Sequence, residues 1–357
     1  MNRAALACWL MAANTLWAAE RQDVLRREFE RACEVQEFMG AASVTVNGRL
    51  AFSAACGWAD VGRKIRNTKD TRFRIASITK QFTAAAVLLL REQGKFPLSD
   101  PIGKYVAGLP ESWRSASIHQ VLTHTSGVPT YTASPNPRLD KAGATPNGLL
   151  DLVRDQPLMY PHGRKLTYNN TGYILLGLLI EKASGTSYEK FVQAKIFEHV
   201  GMTDSGFDYT GKVVPRKASG YKREGSRLEP ADFVDATVAW SAGGFYSTVR
   251  DLTVWSDALA HGTVLNADLT GQMMRVYPET SYKGMHYGYG VVLAERFGRR
   301  LQYHGGGITG HSSVLQHYPD SNLIIAVLSN LDSDTSNMPS WTLGDNLAQA
   351  WFEASPR

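Results

Sequence analysis

The sequence predicts an α/β (α+β) fold, in which one antiparallel sheet flanked by helices carries an inserted all-helical domain. Three observations favour it: β-prone runs lie near both ends of the 357-residue chain, helical apolar spacing dominates between them, and a helical segment follows the last β-prone run. We predict that residues 20–81 and 240–357 form the sheet domain and that residues 82–239 form the helical domain. At this length, one large domain or two intertwined domains are expected.

The first nineteen residues predict a signal peptide. Arg3 is their one charged residue, a largely apolar stretch covers 4–16, and a charged segment begins at Glu20. Cleavage after Ala18 or Ala19 would yield a periplasmic or secreted protein, and an uncleaved amphiphilic anchor is the alternative. Because no later segment is typical of a transmembrane helix, we expect no stable membrane span.

Charge and cysteine content exclude several classes of protein. Lys plus Arg (38) exceed Asp plus Glu (33) by 5, but no long basic run occurs, so no nucleic-acid partner is predicted. Cys8 would leave with the signal peptide. Cys33, in a predicted helix, and Cys56, in a predicted strand, can pair in an oxidising compartment, although we favour two small buried thiols. No Cys-x-x-Cys occurs, and no cofactor is predicted.

Periodicity predicts the elements in order. A helix is expected over 24–38, and strands over 41–46 and 50–56 flank Asn47-Gly48, which is a strong hairpin signal. Residues 82–90 are apolar on nearly every side, which indicates a buried central helix. Further helices are predicted at 118–124, 149–154, 172–183, 188–200 and 341–352, and further strands at 287–294, 300–303, 312–318 and 323–328.

The first candidate for chemistry is Ser77-Ile78-Thr79-Lys80, just before the apolar helix. Residues three apart share one helical face, so the Ser77 hydroxyl and the Lys80 amine are expected within hydrogen-bond reach. Free N–H groups in the first turn favour negative charge that develops at the serine. A lysine acts as a base at neutral pH only when burial or nearby cations lower its pKa from ~10.4. The pattern therefore predicts a nucleophile beside its base.

A second Ser-x-x-Lys pattern, at 187–190, shows that this spacing alone is weak evidence. Residues 186–189 read Thr-Ser-Tyr-Glu, which is typical of a capping box that opens an amphipathic helix. We therefore expect Lys190 to face water and assign this copy a structural role.

Two further sequence patterns contain residues that could act together with Ser77. Tyr168-Asn169-Asn170 lies between a Pro- and Gly-rich loop and a predicted helix, where a tyrosine can pass a proton and an asparagine can both donate and accept hydrogen bonds. Taken alone, Tyr-x-Asn is more often helix-capping chemistry. The run His304-Gly305-Gly306-Gly307 ends a predicted strand in residues without side chains, so a substrate backbone could lie along that strand edge.

These three elements, in this order and spacing, resemble the serine β-lactamase and penicillin-binding protein superfamily, in particular its class C-like branch. Val121-Leu122-Thr123-His124-Thr125-Ser126-Gly127 and Gly243-Gly244-Phe245-Tyr246-Ser247-Thr248 resemble stretches typical of that branch. The resemblance covers nearly the whole mature chain. It implies a β-lactamase/transpeptidase-like fold.

The resemblance also implies roles for individual residues. Ser77 would be the acylated nucleophile, Lys80 its activating partner and Tyr168 a general base and acid. Asn170 would orient the substrate amide and the lysine. The backbone N–H groups of Ser77 and Gly307 would hold the oxyanion, since such donors are usually the largest catalytic contribution.

One departure from the family pattern concerns the substrate-binding strand. Where lactamases and transpeptidases commonly have Lys-Thr-Gly, this chain has His304-Gly305-Gly306. An unperturbed histidine is mostly neutral at pH 7, so substrate carboxylates would be held less firmly than by a lysine. We assign His304, Gly306 and Gly307 to substrate binding.

The resemblance implies a serine hydrolase that forms an acyl-enzyme on an amide or ester of a small molecule or peptide. β-Lactamase-like, D-Ala-D-Ala carboxypeptidase-like and esterase activities remain open, as does the oligomeric state. The alternative is a non-catalytic protein of the same fold that binds penicillin or muropeptides or acts as a sensor.

Other interpretations have less support. Residues 305–310 match Gly-x-Gly-x-x-Gly, but a β-prone run follows where a dinucleotide site needs a helix. Three histidines at 304, 311 and 317 lack a His-Glu-x-x-His motif, so no metal site is predicted. No Gly-x-Ser-x-Gly elbow indicates an α/β-hydrolase. Tyrosines at 282, 287, 289 and 303 are interpreted as packing residues, with a role in lining a substrate cleft as the alternative.

Overall fold

The computed structural model describes residues 21–35, 38–133, 144–225, 227–332 and 338–354. The strands are β1 (Gly40–Val46), β2 (Arg49–Cys56), β3 (Trp58–Asp60), β4 (Ile65–Arg66), β5 (Phe73–Arg74), β6 (Gly206–Phe207), β7 (Tyr221–Glu224), β8 (Arg227–Pro230), β9 (Phe245–Ser247), β10 (His286–Tyr287), β11 (Val292–Arg296), β12 (Arg299–Ile308), β13 (His311–Tyr318) and β14 (Leu323–Ser329). The helices are α1 (21–34), α2 (Thr79–Glu92), α3 (Glu111–Arg114), α4 (Ile118–Leu122), α5 (Pro146–Asp151), α6 (Asn170–Ser184), α7 (Tyr188–Val192), α8 (Glu198–Val200), α9 (Trp240–Gly243), α10 (Val249–Ala260), α11 (Ala267–Met273) and α12 (Pro339–Glu353).

The main sheet is antiparallel and is built from both ends of the chain, which confirms the predicted fold class. Its seven strands run in the order β10-β11-β12-β13-β14-β1-β2, so the C-terminal strand β14 pairs with β1. The predicted hairpin forms between β1 and β2, with positive φ at both Asn47 and Gly48. Such a turn matches the twist of the strands that it joins.

Helices cover both faces of this sheet. On one face, β14 contributes Leu323, Ile325 and Val327 to a cluster with side chains of α1 and α12. On the other face, the alternate residues of β14 join the larger core that includes α2 and α10. A strand buried on both faces is apolar throughout, which explains the unbroken apolar run in the sequence.

Helix α2 is the central helix that the sequence predicts. Every residue from Thr79 to Leu88 is buried, and the Phe82 ring contacts Trp255 and Phe245 at centroid distances of 4.5 and 6.1 Å. Because α2 begins two residues after Ser77, the packing of its apolar side chains fixes the position of the serine relative to the sheet.

The predicted strand over 287–294 is divided in two. Gly288 N–H donates to Val291 O at 2.8 Å and closes a turn between β10 and β11. A Cβ on Gly290, in this turn, would lie 2.6 Å from the Lys80 carbonyl oxygen. The break therefore lets the turn pack against the start of α2, a tertiary contact that period-two patterning does not indicate.

The segment from 82 to 239 is mainly helical as far as Val200, and three short strands follow. Strand β6 pairs with β9, and β7 forms a hairpin with β8. Sequence reasoning missed these strands and also helices α10 and α11, which lie in the part assigned to the sheet domain. The boundaries of the two predicted domains stay predictions.

The preference for unpaired cysteines was wrong. Cys33 on α1 and Cys56 on β2 form a disulfide with their Cα atoms 6.3 Å apart. The pairing follows from the packing of α1 on the face of the sheet that α12 also covers, where both cysteines contact the same apolar cluster.

The predicted signal peptide at 1–19 lies outside the described residues. Among the helices that the structure does describe, none is both long and apolar enough to cross a membrane.

Candidate active site

Ser77 lies in a single 3₁₀ turn, Ala76–Ile78, that leads into α2. Ala76 adopts a positive φ of 43°, which is uncommon for a residue with a Cβ and often accompanies a functional site. The turn is held by Ile75 N–H, which donates to Phe245 O at 3.0 Å. Ser77 is partly exposed while its neighbours in the turn are buried, so the hydroxyl opens toward the cleft.

Lys80 is fully buried one turn further along, and three oxygen atoms surround its amine. Nζ lies 3.2 Å from Ser77 Oγ, 2.8 Å from Asn170 Oδ1 and 2.8 Å from the Ala242 carbonyl oxygen. Burial in this apolar region lowers the pKa of Lys80 well below its ordinary value. The structure thus places the lysine as the sequence predicts, beside the serine and with a tendency to be neutral.

The neutral amine has hydrogens for two of its three neighbours. The Asn170 and Ala242 oxygens can only accept, so they take both N–H groups. The nitrogen lone pair then remains for the Ser77 hydroxyl hydrogen. This arrangement is the one that a general base requires.

Asn170 is the first residue of α6, and both ends of its side-chain amide have partners. Oδ1 accepts from Lys80, and Nδ2 donates to Thr132 Oγ1 at 3.1 Å. The neighbouring Asn169 caps the helix by accepting the Gly172 N–H at 2.8 Å. The two asparagines therefore have different roles: Asn169 caps the helix and Asn170 binds Lys80.

Tyr168 lies over the lysine, with its ring centroid 4.8 Å from Lys80 Nζ. The residue is 40% exposed overall, yet the protein around its hydroxyl raises the pKa of the phenol, against the opposing effect of a hydrogen bond with Ser77. A phenol is already protonated at neutral pH at its ordinary pKa of ~10, and the raised pKa maintains that state, so Tyr168 holds a proton for a leaving group.

His124 is a site residue to which sequence reasoning assigned no role. Its Nδ1 accepts the Asn169 N–H at 3.1 Å, and its carbonyl oxygen accepts the Thr167 N–H at 3.0 Å. These two bonds hold the backbone on both sides of Tyr168. The His124 ring also packs against the Tyr168 ring, with centroids 4.6 Å apart. The family-like stretch at 121–127 was the signal that could have identified this histidine.

The glycine run lies at the end of β12, directly against Ser77. A Cβ on Gly306 would lie 2.3 Å from Ile75 O and 2.9 Å from Ser77 N, so only glycine fits there. Strand β11 pairs with β12 only from Arg299 to Tyr303, and β12 continues beyond that point beside the serine. The following residues of β12, including the exposed Gly307, thus have the position of a substrate-binding edge.

His304 is buried and is hydrogen-bonded by the protein through both ring nitrogens. Nδ1 lies 2.6 Å from Gly305 O and must donate to it, so Nε2 accepts from Tyr287 Oη at 3.0 Å. Burial, assisted by the nearby Lys80, lowers the pKa of His304 to about 3. The imidazole is therefore neutral and does not replace the lysine charge that the family usually has at this position.

A cavity of about 350 Å³ opens beside Ser77 and is lined mainly by apolar and aromatic side chains. Tyr282, Tyr287 and Tyr303 are among them, so for these three tyrosines the structure favours the alternative interpretation, in which they line the cavity. Tyr289 instead stacks on Tyr277 and belongs to the core. Tyr289 lies in the turn between β10 and β11, whereas Tyr287 and Tyr303 lie on strands β10 and β12.

The less favoured patterns have structural explanations. Strand β13 follows the Gly-x-Gly-x-x-Gly match. Ser187 caps α7 and Lys190 is exposed, as predicted, although the cap is Ser187 rather than the first residue of the Thr-Ser-Tyr-Glu pattern. Within the described ranges, no group of three or more His, Cys, Asp or Glu residues could hold a metal ion.

The structure thus brings all seven sequence-predicted site residues around one cleft: Ser77, Lys80, Tyr168, Asn170, His304, Gly306 and Gly307. Residues 29–349 match the Beta-lactamase family. The chain belongs to the beta-lactamase family.

Proteins similar to this chain include penicillin-binding proteins and an amidohydrolase. The putative penicillin-binding protein PbpX of Bacillus subtilis is 29% identical over 306 residues, which cover 83% of this chain and 72% of that protein. The crystal structure of a penicillin-binding protein from Bacillus halodurans superposes with a TM-score of 0.79 at 29% identity, covering 92% of this chain and 98% of that one. A D-stereospecific amidohydrolase from Streptomyces gives a TM-score of 0.75 at 25% identity and covers 88% and 94% of the two chains.

Proposed function

We propose that this beta-lactamase family protein is a serine hydrolase that forms an acyl-enzyme on an amide or ester. The observation that carries the proposal is the contact between the buried Lys80 amine and the Ser77 hydroxyl at 3.2 Å. A lysine so placed has a lowered pKa and a free lone pair, so it can take the serine proton at neutral pH.

The acylation step follows from this geometry. Ser77 Oγ attacks the substrate carbonyl carbon while its proton passes to Lys80 Nζ. The backbone N–H groups of Ser77 and Gly307 stabilise the oxyanion. Tyr168 donates its phenolic proton to the leaving amine or alkoxide as the carbonyl bond to that group breaks, and the Lys80 ammonium reprotonates the phenol.

Deacylation reverses the proton path. Water attacks the acyl carbon and loses a proton through Tyr168 to Lys80. Ser77 then leaves as the ester bond breaks and recovers its proton. Each group ends in its starting state, so the cycle needs no cofactor.

Similar proteins support amides as substrates, since one of them is a D-stereospecific amidohydrolase. The neutral His304 is less suited than a lysine to bind the carboxylate of a β-lactam or of a D-Ala-D-Ala peptide. We therefore favour hydrolysis of amides and esters that lack a carboxylate next to the scissile bond over the β-lactamase-like and D-Ala-D-Ala carboxypeptidase-like activities that the sequence left open.

We also propose that the protein is exported to the periplasm or secreted. The segment at 1–19 has the composition of a signal peptide, and the Cys33–Cys56 disulfide fits an oxidising compartment.

A fluorophosphonate probe with mass spectrometry, followed by a panel of nitrocefin, p-nitrophenyl esters and D-amino-acid amides, tests the proposed function. We expect labelling at Ser77 and turnover of esters or amides, both abolished in Ser77→Ala while the circular dichroism spectrum is unchanged. Ser187→Ala, which alters the second Ser-x-x-Lys pattern, is the matched control and should keep both. A stable nitrocefin adduct without turnover of any substrate in the panel would favour the sensor alternative, and undiminished turnover by Ser77→Ala would refute the assignment.

A further inference from the structure

The cavity beside Ser77 has a chemistry that the family pattern does not specify. Its walls include Tyr168, Tyr282, Met285, Tyr287, Tyr303 and Trp341. The volume of about 350 Å³ is well above the ~150 Å³ that accommodates a benzene molecule in a protein core. A substituent of aromatic size attached to the scissile carbonyl or to the leaving group therefore fits beside the serine.

Three aromatic residues of this cavity have their polar atoms bound to protein. Tyr287 Oη donates to His304, Tyr303 Oη lies 3.3 Å from Met285 Sδ, and Trp341 Nε1 donates to Ser313 O at 3.0 Å. Their remaining surface is ring carbon, which favours apolar groups.

Fixed positive charge is missing from the part of these walls that the structure describes. No lysine or arginine is among the described residues that line the cavity. The Lys80 amine lies behind the serine with Asn170 and Ala242 as partners, and Lys283, which is not among the lining residues, lies over the Tyr282 ring with Nζ 5.4 Å from the ring centroid. His304 has both nitrogens occupied. His286 is the other histidine of the lining. A carboxylate in the cavity would lose water without gaining a lysine or arginine partner from the described walls, which is costly.

We propose that this cavity binds an uncharged, apolar or aromatic substituent of the substrate and discriminates against a carboxylate at that position. This inference rests on the proposed function, because it assigns the substrate class of the same site. The binding preference itself depends only on the cavity walls and is present whether or not Ser77 reacts.

A matched pair of ligands tests this preference without catalysis. 4-Methylbenzamide and 4-methylbenzoate have the same size and differ in charge, and NMR titration of Ser77→Ala at pH 8, where imidazoles ordinarily carry no charge, measures both affinities. We expect the amide to bind at least tenfold more tightly. Equal or tighter binding of the benzoate would overturn the proposal.

A charge introduced into the cavity wall provides the second arm. Met285 is partly buried and lines the cavity, so Met285→Lys would supply the missing cation. In the Ser77→Ala background, we expect Met285→Lys to reduce the ratio of amide affinity to benzoate affinity at least tenfold. Met285→Leu, which is of similar size and uncharged, should leave this ratio unchanged. Unchanged benzoate binding in Met285→Lys would show that the ligands bind elsewhere and that the inference is wrong.

Catalysis is followed separately in the wild-type protein. 4-Carbamoylphenylboronic acid should protect Ser77 from the fluorophosphonate better than 4-carboxyphenylboronic acid. Absence of fluorophosphonate labelling at Ser77 would refute the proposed function, while the Ser77→Ala titrations would still decide the cavity preference. Labelling with the opposite boronate preference would retain the hydrolase and refute the inference.

Discussion

Lys80 Nζ lies 3.2 Å from Ser77 Oγ and has two carbonyl-type oxygens as its other partners. Because those oxygens can only accept, the neutral amine has one free lone pair, and it points to the serine hydroxyl. The hydrogen bonds and the burial of the lysine therefore act in the same direction, toward a base that is active near neutral pH.

The first prediction concerns the pH profile of hydrolysis. Since the pKa of Lys80 is lowered, kcat/KM should rise with pH through that lowered pKa and reach its plateau well below pH ~10.4. Lys80→Arg stays protonated and should lose at least ~10²-fold at every pH, whereas Lys190→Arg should keep the wild-type profile. A rise that follows an ordinary lysine pKa would contradict the assignment of Lys80 as the base.

The same pKa shift predicts how stability depends on pH. Between the lowered pKa of folded Lys80 and ~10.4 in the unfolded chain, the unfolded state binds one more proton, so this lysine makes the unfolding free energy rise with pH. Its contribution has a slope of up to about 1.4 kcal/mol per pH unit. Lys80→Met should lack this contribution and be more stable than wild type at pH 6. Urea unfolding at pH 6 and 9 measures the unfolding free energy of both proteins. An equal change in unfolding free energy between these pH values in wild type and Lys80→Met would contradict the prediction.

His124 should act on catalysis through the position of Tyr168. His124→Ala removes the acceptor for Asn169 N–H, and we expect kcat to fall about 10- to 100-fold with little change in KM. His124→Asn keeps an acceptor, tolerates the φ of 59° and should restore most of kcat.

A double-mutant cycle separates this positioning role from a general loss of stability. In the Tyr168→Phe background, His124→Ala should have little further effect on kcat, because the group that it positions is already gone. Additive losses would mean that His124 acts by another route.

Gly306 should tolerate no side chain. The Cβ of Gly306→Ala would overlap the backbone at Ile75 and Ser77, which cannot move without displacing the nucleophile. We expect a lower melting temperature together with loss of hydrolysis. Gly307→Ala is the matched control, because its Cβ meets only the flexible end of Met338 and its N–H group is retained. Equal effects of the two substitutions on melting temperature would argue against the overlap.

The Cys33–Cys56 disulfide should stabilise the fold. It closes a loop with a sequence separation of 23, for which chain entropy predicts about 3 kcal/mol. The Cys33→Ser/Cys56→Ser variant should lose approximately that amount in urea unfolding. Dithiothreitol should destabilise wild type and leave the variant unchanged; a wild-type protein that is insensitive to the reductant would exclude this role.

Local spacing explains why much of the site could be predicted. Ser77 and Lys80 are three residues apart on one helix, and their proximity follows from helical geometry. The Asn47-Gly48 hairpin and the apolar α2 are likewise local features, and the order of helices and strands indicated the sheet built from both ends. Convergence of Tyr168 and Gly306 on Ser77 was inferred by resemblance rather than from spacing.

The amino-acid sequence by itself determined the fold class, the serine and lysine pair and the absence of a lysine at position 304. Only the tertiary structure determined the lowered pKa of Lys80 and the pairing of the cysteines. It also determined the hydrogen bonds of His124 to the backbone around Tyr168 and the apolar cavity. The physical reason is that each of these depends on distant segments packing together. Burial sets a pKa, and a cavity exists only where walls from several segments face one another.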